Sequence, residues 1–257
     1  MKDFIIGIAE EAANLAKEMM GKAKVSSKGP KDVVTEADKA VETMLILMIR
    51  TKFPTHQIIS EETGETGKKS EYVWYIDPID GTSNYSHTDP HYCVSIGLAK
   101  NDVMTHACIV IPALNETYYA EKGKGAFLND KKISVSKIAK LEDSMVLVGV
   151  KSMGALLEPT MKAFKHFSRF GDRARDYGFT AGELCFVAAG RAEAIVRYSQ
   201  NAWDIAAGSL IVEEAGGRFT GHNGQEIKIN GNDKFEIVAS NSVVHDNIIK
   251  ELKGEAK

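Results

Sequence analysis

The run Trp74-Tyr75-Ile76-Asp77-Pro78-Ile79-Asp80-Gly81-Thr82-Ser83-Asn84-Tyr85 constrains this chain more than any other stretch. It reads as an apolar strand that stops in a carboxylate-rich turn, followed by a Gly-Thr able to open a helix. Pro78 fixes one backbone dihedral between Asp77 and Asp80. Two carboxylates held that close repel unless a cation sits between them, and hard oxygen donors suit Mg2+. Free amides at a helix start, here those of Gly81 and Thr82, favour a phosphate. Metal and phosphate in one turn point to metal-assisted phosphoryl transfer or hydrolysis.

The pattern around this run is mixed. Ile5, Ile8, Ala12, Leu15, Ala16 and Met19 recur at helical spacing, and Gly21 can end that helix. Thr35-x-x-Asp38 has the form of a capping box, and Val41, Met44, Leu45 and Met48 continue with helical period. Ile58-Ile59 is a short apolar run leading into Glu61. Strands are expected at 93–99, 103–111, 117–121 and 126–128, an antiparallel meander with a glycine turn at 122–125. After about Lys137 the character changes. Met145 to Val150 suits a strand, residues 153–167 and 180–190 read as helices, and 194–196 is a short strand. A helix over 204–214 stops at Gly216-Gly217. A late strand at 237–239 precedes an amphipathic C-terminal helix. The chain therefore reads as mixed α and β (α+β and α/β), with a seam near 134–144. One catalytic domain over 1–257 is expected, built from an N-terminal half (1–136) and a C-terminal half (137–257).

The stretches Val33-Val34-Thr35-Glu36-Ala37-Asp38, Ser60-Glu61-Glu62-Thr63, Asp77 to Tyr85, and Trp203-Asp204-Ile205-Ala206-Ala207-Gly208 come in an order that resembles the inositol monophosphatase family, the lithium-sensitive Mg2+ phosphatases. Glu213-Glu214-Ala215-Gly216-Gly217 follows as it does there. The resemblance covers roughly residues 5 to 250. It implies a layered αβαβα sandwich with two sheets. It implies two to three Mg2+ ions per site: Glu61, Asp77 and the Ile79 carbonyl for the first, Asp77, Asp80 and Asp204 for the second, and a water-rich third on Glu61. Thr82 matches the threonine that orients the attacking water, with Asp38 as its partner. Attack is expected to be direct and in line. For the substrate, the resemblance implies Asp80, Gly81, Thr82 and Ser83 at the phosphate, Arg175, Gly178, Phe179 and Thr180 in the ring-contacting loop, and Glu214 on a substrate hydroxyl. Ser60 and Tyr85 depart from the usual glycine and phenylalanine, and Lys28 or Lys31 is the match to a lysine near the water.

Each residue has a plainer reading. Asp77 and Asp80 suit an Asx turn and a helix cap, and Asp38 and Asp204 suit first-turn acids. Trp203 suits core packing. Arg173, Arg175, Arg191 and Arg197 cluster in sequence, and a guanidinium could grip a second phosphate or simply be solvated. His87 and His91 are four apart, but Asp89-Pro90 between them breaks a helix, so a loop or site-mouth role is expected.

Composition excludes several classes. A formal net charge of −3 argues against a nucleic-acid binder that neutralises phosphates. The three cysteines, Cys93, Cys108 and Cys185, form no C-x-x-C pair and suit buried thiols in a reducing compartment. The apolar start is too short for a signal-peptide core or a membrane span, so a cytoplasmic protein with no membrane partner is expected. The expected partner is a small phosphate ester, and the family implies a homodimer. Inositol 1-phosphate leads as substrate. Fructose-1,6-bisphosphatase, 3′,5′-bisphosphate nucleotidase and histidinol-phosphate phosphatase activities are the alternatives, and an inactive regulatory binding protein of the same fold is the rival from another class.

Overall fold

Ile5, Ile8, Ala12 and Ala16 share one helix face, and that face decides where the outermost layer goes. The computed structural model describes residues 1–29, 32–150, 154–231 and 233–255. The N-terminal elements are α1 (Lys2–Met19), β1 (Val25–Gly29), β2 (Asp32–Thr35), α2 (Glu36–Lys52), β3 (Gln57–Ser60), β4 (Gly64–Thr66), β5 (Tyr72–Asp80) and α3 (Thr82–Ser86). The meander follows as β6 (Cys93–Lys100), β7 (Val103–Ile111), β8 (Glu116–Glu121), β9 (Gly125–Leu128) and β10 (Lys131–Lys132). Then come β11 (Met145–Val148), α4 (Leu157–Phe170), β12 (Arg173–Arg175), α5 (Thr180–Ala188), β13 (Ala194–Gln200), α6 (Ala202–Glu214), β14 (Arg218–Gly221), β15 (Phe235–Ser240) and α7 (His245–Glu255).

Eight strands form one sheet in the order β10-β9-β8-β7-β6-β5-β3-β4, and five form a second in the order β12-β11-β13-β15-β14. The first is antiparallel except where β3 runs parallel to β5. Side chains alternate across a strand, so each β5 residue commits to one face. Trp74 and Ile76 pack with α1 and α2, while Val73 and Tyr75 face the other way. There α5 and α6 lie between the two sheets. The second sheet repeats the device: Ile195 and Ile237 face the middle layer, whereas Val196 and Val238 face α4 and α7. The result is the expected αβαβα sandwich with two sheets. Each large apolar side chain buried this way contributes about 1.5–3 kcal/mol.

The meander matches its expected ranges within a residue or two. The helix expected over 153–167 begins instead at Leu157, and residues 151–153 lie outside the described residues. Pro159 explains the shift, because proline is tolerated only in a first helical turn. The antiparallel β1–β2 hairpin was not expected, since Val25-Ser-Ser-Lys-Gly carries no clean apolar alternation.

Candidate active site

The acidic turn begins as a bulge. Asp77 pairs with Ser95 and Asp80 with Cys93, so three steps on β5 oppose two on β6. Pro78 fits there because a bulge needs no ladder N–H from it. The extra residue re-aims the chain, and the Asp77 Oδ1 accepts the Ile79 N–H at 3.1 Å. Gly81 then adopts φ +90° as the residue before α3. A Cβ there would stand 2.7 Å from the His91 carbonyl oxygen, so the turn needs glycine both for its conformation and for its space.

Asp38 does two things at once. Its Oδ2 accepts the Thr35 N–H at 2.8 Å and the Thr35 hydroxyl at 2.6 Å, which completes the capping box of α2. Its Oδ1 lies 3.2 Å from Thr82 Oγ1. The plain reading and the functional one thus share a single carboxylate. The Thr82 hydroxyl is also 3.0 Å from the Ile79 carbonyl, and its one proton serves one acceptor at a time. Burial pushes the Asp38 carboxyl up, against the hydrogen bonds from Thr35 and Thr82.

Glu61 follows β3 directly, and its N–H donates to the Ile76 carbonyl at 3.3 Å. Asp204 is the third residue of α6 and caps it, accepting the Asn201 N–H at 2.7 Å. Asp80 reaches across to the start of α5. Its Oδ1 accepts the Thr180 N–H at 3.1 Å and its Oδ2 the Ala181 N–H at 2.6 Å. These acids feel one another. Burial pushes the Asp77 carboxyl well above its ordinary range, and the charges of Glu61, Asp80, Asp204 and Asp38 push it further. Asp80 is pushed up to about 7, first by burial and then by Asp204.

A hard divalent cation fits this donor set. All the donors are oxygens, the mutual repulsion is what a cation relieves, and the buried Ser95 hydroxyl opposite Asp77 has no protein partner among the described residues. Among the described residues, though, no three His, Cys, Asp or Glu side chains are already closed around one point as ligands. Asp80 and Asp204 are held on backbone N–H groups instead.

The substrate loop is where expectation and structure part. Arg197 is not a solvated surface residue. Its guanidinium is buried, pairs with Asp176 at 3.0 Å, and makes a second, shorter contact with buried Glu183. Asp176 in turn accepts the Gly178 N–H at 3.1 Å and Glu183 the Tyr177 N–H at 2.6 Å. Together they fix the loop that leads into α5. Arg191 is paired with Glu116 at 2.5 Å. Arg173 and Arg175 are exposed on the edge strand β12. Gly178, Thr180, Arg197 and Gln200 line a cavity of about 170 Å³, and the Thr180 hydroxyl donates to Gln200 at 2.7 Å.

Two residues expected at the substrate have protein partners in the structure. Glu214 ends α6, ten residues from Asp204, and its carboxylate accepts the N–H groups of Gly123 and Gly125, both at 2.7 Å. At 1.5 Å per residue that is about 15 Å along the helix, and there Glu214 clamps the β8–β9 turn. The Phe179 ring is buried in the core between the sheets, edge-on to His91 and Phe186, so it does not line the cavity. Ser83 is exposed, and its carbonyl accepts the Ser86 hydroxyl at 2.8 Å. The Lys28 side chain and Lys31 lie outside the described residues.

Other residues find ordinary places. Trp203 packs against the core between the sheets, and the three cysteines are free and buried. His87 sits 2.9 Å from the Ser83 carbonyl, whereas His91 pairs with Asp89 and stacks on Tyr177. Asn84 was missed. Its amide donates to the carbonyls of His91 and Tyr177 at 2.8 and 2.7 Å, tying the acidic turn to the substrate loop. Glu183 was missed as well. The signal for Glu183 was available, because it is a lone acid in an otherwise apolar helix.

The fold, two capping acids and a bulged carboxylate turn define a class, and comparison with known proteins agrees. The profile of the inositol monophosphatase family matches residues 1–256, and this chain belongs to that family. A Thermotoga maritima protein named fructose-1,6-bisphosphatase/inositol-1-monophosphatase is 36% identical over 250 residues, covering 96% of this chain and 94% of that one. A putative Nus factor SuhB of Neisseria meningitidis is 35% identical over 254 residues, covering 95% and 96%. The crystal structure of the extragenic suppressor protein suhB from Bartonella henselae superposes with a TM-score of 0.92 at 29% identity, covering 98% of both chains.

Proposed function

We propose that this protein is a Mg2+-dependent phosphomonoester hydrolase of small phosphorylated metabolites, with inositol 1-phosphate as its leading substrate. The observation that carries this reading is that Glu61, Asp80, Asp204 and Asp38, acids from four chain segments, all act through their charges on the buried Asp77. Bound Mg2+ would neutralise phosphoryl charge and make water a better nucleophile. Glu61, Asp77, Asp80, Asp204 and the Ile79 carbonyl are the groups that would hold two to three such ions.

The chain's own residues do the rest. Asp38 accepts the Thr82 hydroxyl proton, which leaves Thr82 lone pairs to orient the water for direct in-line attack. The amides of Gly81 and Thr82 hold the phosphate. The cavity at Gly178, Thr180, Arg197 and Gln200 receives the alcohol. Residues 1–136 supply most of the acids and 137–257 supply Asp204 and the loop, so the two halves work as one catalytic domain.

A monophosphate is favoured because Arg197 and Arg191 are already paired with carboxylates, which leaves only Arg173 and Arg175 of the cluster for a second phosphate. The name of the Neisseria relative belongs to that protein; retention of every carboxylate here supports hydrolysis over a purely regulatory role. The family resemblance supports a homodimer and inhibition by Li+. Among the described residues no helix is long and apolar enough to cross a membrane.

The test is phosphate release from inositol 1-phosphate, fructose 1,6-bisphosphate, adenosine 3′,5′-bisphosphate and histidinol phosphate, with Mg2+ and with or without Li+. Mg2+-dependent turnover of the first is expected. Silence on all four, with Mg2+ shown to bind, would sink the reading in favour of a non-catalytic one.

A further inference from the structure

We propose that Glu42 is a positioning residue that sets the Glu61 turn against the acidic centre, an inference that rests on the phosphatase reading above. Glu42 lies four residues after Asp38 on α2, so both project from one helix face. Both are buried, Asp38 at 0% and Glu42 at 2% exposure. A carboxylate that deep persists only where donors satisfy it. Glu42 draws its donors from the turn after β3. Its Oε1 accepts the Glu62 N–H at 2.9 Å and the Thr63 N–H at 3.2 Å, and its Oε2 accepts the Thr63 hydroxyl.

That turn begins with Glu61. It cannot move without stripping donors from a buried carboxylate, which is costly. One helix face therefore holds two parts of the site: Asp38 orients Thr82 at one point, and Glu42 anchors the Glu61 turn one helical turn further on. The separation between the two is set by the rise of α2 and not by the loop's own preferences. Glu42 itself need not touch metal or substrate; it acts through Glu61.

The test compares Glu42→Ala with Glu42→Gln by Mg2+ titration calorimetry on the full chain, alongside steady-state kinetics. Glutamine keeps Oε1 for the two N–H groups, and its amide can donate to the Thr63 hydroxyl. Outer groups of metal sites typically change affinity by about 10–100-fold. Glu42→Ala is expected to weaken Mg2+ binding by that factor, with substrate KM at saturating Mg2+ little changed and with Glu42→Gln restoring the affinity. A folded Glu42→Ala with wild-type Mg2+ affinity overturns the proposal. Should Glu42→Ala fail to fold, Thr63→Val removes one of the three bonds, and unchanged affinity there overturns it equally. If the wild-type protein binds no Mg2+, the phosphatase reading falls and this inference with it; if it binds and the variants match it, only the positioning role falls.

Discussion

Asp38 and Asp204 occupy the same position in two different helices. Each is the third residue of its helix, and each carboxylate accepts the N–H of the residue that precedes the helix, Thr35 at 2.8 Å and Asn201 at 2.7 Å. A side chain tied down by its own helix has already lost its rotamer freedom on folding, so less is lost when a ligand arrives. The capping acid and the acid proposed for the site are the same residue, twice.

Asp38→Ala should therefore register in two separate assays. Loss of the cap side chain should cost about 0.5–2 kcal/mol of stability, read by urea denaturation without metal. Loss of the Thr82 partner should lower turnover by roughly 10²–10⁴-fold, the range for a positioned acid–base group. Undiminished turnover would sink the assigned role.

The acidic centre predicts a pH dependence for the metal-free protein. Asp80 titrates near 3.8 unfolded and is pushed up to about 7 in the folded state, and Asp77 is raised in the same direction. A raised carboxyl contributes stability that is complete below the unfolded value and is lost as pH rises through the folded one. Stability in EDTA should thus fall between about pH 4 and pH 7, by on the order of a few kcal/mol. Mg2+ should restore it most at and above pH 7. Asp80→Asn should flatten part of the slope and abolish turnover. Denaturation midpoints at pH 4.5, 6 and 7.5 decide it; a flat profile would count against the like-charge cluster.

Arg197→Met should be strongly destabilising. It leaves Glu183, which is 0% exposed, without its cation, and breaking one side of a buried pair costs about 3–5 kcal/mol. Adding Glu183→Gln should recover much of that loss. Thermal melts of the single and double variants check this, and a single variant as stable as wild type would remove Arg197 from its structural role.

Glu214→Ala separates the two readings of that residue. The structure predicts a looser β8–β9 turn, worth about 1–3 kcal/mol for the lost acceptor, with substrate KM unchanged. A tenfold rise in KM, measured by phosphate release on a still-folded variant, would return Glu214 to the substrate.

Local signals were read correctly because their causes are local. The largely apolar run Val103–Ile111 is visible in nine residues, and so is the strand it makes. The Thr35–Asp38 capping box needs only three residues of separation, whereas the Asn201 cap starts α6 two residues before the expected Asp204. Pro159 moved a helix start because its effect outweighed the apolar period around it. The Glu-Glu-Ala-Gly-Gly stretch says where a helix ends, not what its last carboxylate faces.

By itself, then, the sequence determined the acidic turn, the Thr35–Asp38 capping box, the mixed α and β character and, through its ordered motifs, the family and the layered fold that goes with it. All rest on spacing within one element or on motifs in order. Only the tertiary structure decided the partners of the buried charges: Asp80 with Ala181, 101 residues away, Glu214 with Gly123, 91 away, and Arg197 with Glu183, on the next helix back. A buried ion takes whatever donor or counter-charge the packing of layers delivers to it. Chain distance carries no record of that packing.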